Sequence, residues 1–85
     1  MEITWKPVRD ADAPRSNLPE SAFAFPEERK EPLTDASHVR SAIARFHAVE
    51  GVSNVERAQA FENIKAAAEH YGVALHASSW HDLVG

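Results

Sequence analysis

Residues 34–72, TDASHVRSAIARFHAVEGVSNVERAQAFENIKAAAEHYG, decide how the fold is read. At 100° per residue, Ala36, Val39, Ala42, Ile43, Phe46 and Val49 fall in one apolar stripe, with Ser37, Ser41 and Arg45 on the other side. Thr34 or Asp35 can cap such a helix, because a side-chain oxygen there accepts an orphan backbone N–H of the first turn. Gly51 offers a left-handed stop. The pattern predicts a helix over about 35–49. A second start signal comes at once. Ser53 and Glu56 have the spacing of a capping box, in which hydroxyl and carboxylate satisfy backbone donors reciprocally. Ala58, Phe61, Ile64, Ala68 and Tyr71 then share a face, flanked by Ala60 and Ala67, and Gly72 followed by Val73 fits a Schellman ending. This predicts a helix over about 54–71. A link of a few residues between the two implies an antiparallel helical hairpin.

Working outward, all five prolines lie in the first 32 residues, which forbids a long helix there. Residues 9–20 are polar and proline-punctuated, and 1–20 reads as a flexible N-terminal arm. Within it, Trp5 is either part of a short strand or an anchor docked on the core. Phe23 and Phe25 alternate around Ala24, a charged run comes next, and Pro32-Leu33 closes it. That suits two very short extended arms, demoted by Pro26 and Pro32 to an edge or irregular hairpin. Ser79-Trp80-His81-Asp82 suggests a short C-terminal helical turn. The expected fold is mainly α: a helical hairpin in a single small domain over 21–85, with Phe23, Phe25, Leu33, Leu75 and Trp80 as lids over its apolar seam.

Composition narrows the function classes. With 85 residues one core is expected, and 22 large apolar side chains plus 15 alanines suffice for a modest one. The absence of cysteine removes disulfides, Cys-ligated zinc, iron–sulfur clusters and thiol nucleophiles. No apolar run approaches the roughly 20 residues that span a bilayer, so no membrane role and a cytoplasmic location are expected. Nine basic against thirteen acidic side chains give −4, the wrong sign for a nonspecific nucleic-acid binder.

The histidines at 38, 47, 70, 76 and 81 have no three- or four-residue spacing, and His38 and His47 lie about 180° apart on one helix. Neither a metal nor any other cofactor is expected. Ser78, Ser79, His81 and Asp82 crowd one turn instead of being arranged by the fold around a base, so no catalytic residue and no enzymatic activity are expected. His38 and Arg40, with Arg29 and Lys30 in the preceding loop and Arg45 further along the helix, form a small basic cluster. It could receive an anion or a partner carboxylate. The alternative is local: Asp35 caps, His38 hydrogen-bonds within the turn, and the arginines stay solvated. The second helix carries a net charge of −1, which argues against a groove-reading helix.

Residues 18–46 carry Leu18, Pro19, Ser21, Phe23 and Ala24, then Lys30, Pro32 and Leu33, then Asp35, His38, Arg40 and Ala42. This spacing resembles a small family of uncharacterised bacterial and phage-associated proteins, and residues 66–73 are similar to that family's second-helix ending. The resemblance implies no activity, only a role beside a larger protein. The expected function is a non-catalytic module that binds a protein partner or itself. A nucleic-acid-associated accessory protein using Arg29, Lys30, Arg40 and Arg45 is the alternative, and a small metal protein or enzyme on the C-terminal histidines comes third.

Overall fold

A computed structural model describes residues 2–10 and 12–85. Positions 1 and 11 of the expected 1–20 arm lie outside the described residues. Two 3-10 turns, Arg15–Asn17 and Glu20–Ala22, lead into strand β1 (Phe23–Phe25), which pairs antiparallel with β2 (Lys30–Pro32). Phe23 stands opposite Pro32, and Phe25 opposite Lys30. Helix α1 (Ala36–Arg45) continues into a 3-10 turn at Phe46–Ala48. Helix α2 (Asn54–Tyr71) and the single-turn α3 (His81–Val84) complete the chain.

The molecule is therefore a small α+β fold, and the expected mainly-α helical hairpin is corrected. All three residues of β1 are buried, and α2 packs against β1 as well as against α1. The Phe-bearing segment is thus a layer of the core and not a lid over a helix pair. The prolines were misleading because each sits where no ladder donor is needed. Pro26 opens the loop after β1, and the bond beyond Pro32 is made by Leu33, whose N–H donates to the Ala22 carbonyl at 2.8 Å. Among the described residues, two adopt left-handed backbone without being glycine, Arg29 at φ 53° and Glu31 at φ 56°. Each costs of order 1–3 kcal/mol, so the hairpin is held by its surroundings more than by its own turn chemistry.

The helices obey their local signals. Ser53 Oγ accepts from Glu56 N while Glu56 Oε1 accepts from Ser53 N, closing the capping box. Gly72 is left-handed at φ 69°, and Val73 N donates to Ala68 O at 2.8 Å, the bond that defines a Schellman ending. Asp35 caps α1 by accepting from His38 N. It also lies 2.8 Å from His38 Nδ1. The His38 backbone N–H, then the His38 ring, hold the Asp35 carboxyl below its usual range. The ionised form is thus favoured by folding. Its contribution is present above pH 3.8, the ordinary value, and is lost as pH falls through the lowered folded value. Asp35→Ala is expected to cost about 1 kcal/mol at pH 7. Urea unfolding at pH 7 and again at pH 2 checks this, since the gap from the parent chain should close in acid.

The core forms in two parts. The larger gathers Phe25, Leu33, Val39, Phe46 and Ile64 with Trp5, and Phe25 meets Phe46 at 5.8 Å between ring centroids. The smaller gathers Leu18, Ala22 and Phe23. In the C-terminal segment Val73, Leu75 and Ala77 point inward in alternation, and the half-buried Trp80 packs against the larger part.

Two polar residues are buried among the described residues, Thr34 and, most completely, Asn63. Asn63 of α2 is fully buried, and all of its amide capacity is used. Its Oδ1 accepts from Thr4 N at 2.9 Å and Trp5 N at 3.0 Å, while Nδ2 donates to Thr4 Oγ1 and to the Ala24 carbonyl. Asn63 thereby ties the N-terminal segment, β1 and α2 at a single point.

Candidate binding groove

Along α1, His38, Ser41 and Arg45 recur at i, i+3 and i+7, so they share a face next to the buried one carrying Val39, Ala42 and Phe46. That polar face forms one wall of a groove of about 290 Å³. A second wall is made by Glu31 and Pro32 at the end of β2 together with Thr34, just ahead of α1. A third comes from the segment before β1, with Ala13, Arg15 and Leu18.

Two guanidinium groups fasten the third wall to the hairpin. Arg29 Nη2 donates to the carbonyls of Arg15 and Leu18, and Arg15 Nη2 donates back to the Arg29 carbonyl. Both guanidinium carbons stand over the Phe23 ring, at 4.7 Å for Arg29 and 5.6 Å for Arg15. These contacts account for the left-handed Arg29: its backbone is bent so that its side chain can bridge the two segments.

The five basic residues singled out in the sequence therefore separate. Arg45 and His38 line the groove, His38 with one ring nitrogen already facing Asp35. Arg29 is committed to two backbone carbonyls, and Lys30 Nζ donates to the Glu50 carbonyl at 2.7 Å. Arg40 is exposed on α1 outside this groove. Sequence reasoning missed Arg15, Ser41 and Thr34. Ser41 and Arg45 were four apart on the polar side of the helix, a spacing that already put them on one wall. Arg15 gave no such signal, because it belongs to a segment read as linker.

A second groove of about 250 Å³ lies where the hairpin loop meets the start of α2. There the carboxylates of Glu27, Glu28 and Glu56 lie within 4.8 Å of one another, the only cluster of three metal-type side chains among the described residues. Glu28 is pushed above the usual carboxylate range, chiefly by its hydrogen bond with Glu56. Glu56 is held below it, first by that bond and then by the Ser53 backbone N–H. The histidines gather no such group, although His70 packs edge-on against Tyr71 and Trp5, and His81 stacks on Trp80 at 3.8 Å. Among the described residues no helix is long and apolar enough to cross a membrane.

Comparison with known proteins matches the chain to the model of a family of unknown function (DUF6582) over residues 7–78. It covers both grooves except for Thr4. No curated protein and no solved structure matches the chain.

Proposed function

The chain belongs to the DUF6582 family of unknown function, and from that premise we propose that it is a non-catalytic protein-interaction module that receives a carboxylate-bearing segment of a partner. The reading rests on the groove between α1, β2 and the preceding segment, where Arg15, Arg45 and His38 converge with the hydroxyl-bearing Ser41 and Thr34. Two guanidinium groups and one carboxylate, Glu31, line the groove; Arg15 gives a donor to the Arg29 carbonyl, and Arg45 supplies the cationic capacity to spare. Guanidinium and carboxylate pair through parallel N–H···O bonds, a planar recognition that suits Asp or Glu side chains.

The basic cluster suits a nucleic acid less well. A phosphate-tracking surface needs several free cations in a row. Two of the four residues invoked for it, Arg29 and Lys30, spend their donors on backbone carbonyls. A bacterial or phage origin and a cytoplasmic location belong to the same proposal.

The test is a titration of ¹⁵N-labelled protein with the peptide Ac-Leu-Glu-Asp-Leu-NH₂ and with its Gln/Asn counterpart. The acidic peptide is expected to shift the amides of His38, Ser41 and Arg45, and the neutral one to leave them in place. Arg45→Gln should weaken binding about tenfold, the loss of one hydrogen bond to a charged group. Arg40→Gln, on the same helix outside the groove, should change it little. Absence of shifts, equal shifts with the neutral peptide, or tighter binding of a single-stranded oligonucleotide would each overturn the reading.

A further inference from the structure

The second groove shares no lining residue with the first and has the opposite character. Its floor is apolar, made by Phe25 and Pro26 of the hairpin and by Val55 in the first turn of α2. Val55 is 70% exposed, which leaves a large apolar side chain in water at the mouth of a concavity. The rim is acidic: Glu27, Glu28 and Glu56 close on one another, and among the described residues no lysine, arginine or histidine lines the groove. Oε2 of Glu56 is shut off from solvent, and the Glu28 carboxyl is the group hydrogen-bonded to Glu56 on this rim.

These features ask for one kind of occupant. Carboxylates this close repel one another unless a proton or a cation lies among them. A bare metal ion would relieve the rim but leave Val55 uncovered, and a purely apolar group would cover Val55 while desolvating the carboxylates without a partner. A long aliphatic stem ending in a cationic head satisfies both, since such side chains lay their methylenes on apolar surface and keep the charge at the edge. From this charge and shape complementarity we propose that the groove between the hairpin loop and the start of α2 is a docking site for a lysine or arginine side chain of a protein partner.

This site stands independently of the carboxylate-binding groove, and its test reads different amides. The labelled protein is titrated with Ac-Leu-Arg-Arg-Leu-NH₂ and, separately, with calcium chloride. The arginine peptide is expected to shift the amides of Val55, Glu56 and Gln59. The double variant Glu27→Gln/Glu28→Gln spares the Glu56 capping box and should weaken that binding about two- to fivefold, as loss of exposed ion pairing implies. Val55→Ser should weaken it as well, which an ion alone would not feel, and circular dichroism confirms that each variant is folded. Peptide shifts unchanged in the double variant would overturn the proposal. So would calcium reproducing the shifts where the peptide produces none.

Discussion

Replacing Trp5 with alanine is expected to destabilise the fold by about 3–5 kcal/mol, the range for truncating a buried tryptophan. The indole is 7% exposed although its neighbours Thr4 and Lys6 are exposed. It stands edge-on to His70 and Tyr71, at 5.6 and 5.8 Å between ring centroids, and its Nε1 donates to the Leu33 carbonyl at 3.0 Å. Truncation removes the apolar area, the edge contacts and the partner of a buried carbonyl together. At roughly 0.05–0.15 kcal/mol per residue, a chain of this size has only about 4–13 kcal/mol in all. The variant should therefore unfold at a much lower urea concentration, with the slope of the transition unchanged. Trp5→Phe should recover most of the packing but not the bond to Leu33.

Asn63→Ala is the second large effect, about 2–4 kcal/mol. The side chain lost is small, but three backbone groups rely on it: the N–H groups of Thr4 and Trp5, and the carbonyl of Ala24. A buried donor or acceptor left unpaired costs about 1–3 kcal/mol, and Thr4, being exposed, recovers its bond from water. Because Asn63 and Trp5 hold the same segment, the double variant should cost less than the sum of the two. Once Asn63 has released residues 4 and 5, removing the indole has less left to lose. Urea unfolding of the four chains of this cycle checks both the size and the sign of the coupling.

What was legible in the sequence was local. Helix α2 keeps to its caps from Asn54 to Tyr71, because Ser53, Glu56 and Gly72 act within one turn of chain. The alternation at Phe23 and Phe25 foreshadowed the hairpin, but the flanking prolines concealed that β1 is interior, since their positions relative to the ladder depend on register. Asn63 was passed over, although it is the one polar residue among Ala60, Ile64 and Ala67, a position that demands partners. Those partners are 39, 58 and 59 residues away, beyond the reach of any periodicity argument. The groove divides the same way. His38 and Arg45 came from their place on the first helix near the basic loop, whereas Arg29 and Lys30 were assigned to binding because nothing local shows that their donors reach Leu18 and Glu50. Arg15 is in the groove only because the chain before β1 folds back over the hairpin.

The groove's third wall is fastened by Arg15 and Arg29, and the segment ahead of it is clasped by Asn63 and Trp5; that the N-terminal segment is an ordered part of the fold is the claim on which the functional reading depends. Native-state hydrogen exchange of the Thr4 and Trp5 amides tests it directly. If the segment is clasped, the Trp5 amide should exchange with nearly the protection of the interior amides of α2, and Thr4 somewhat faster. Exchange of both at free-chain rates, while α2 remains protected, would show the segment around residues 4 and 5 to be mobile and would contradict the clasp.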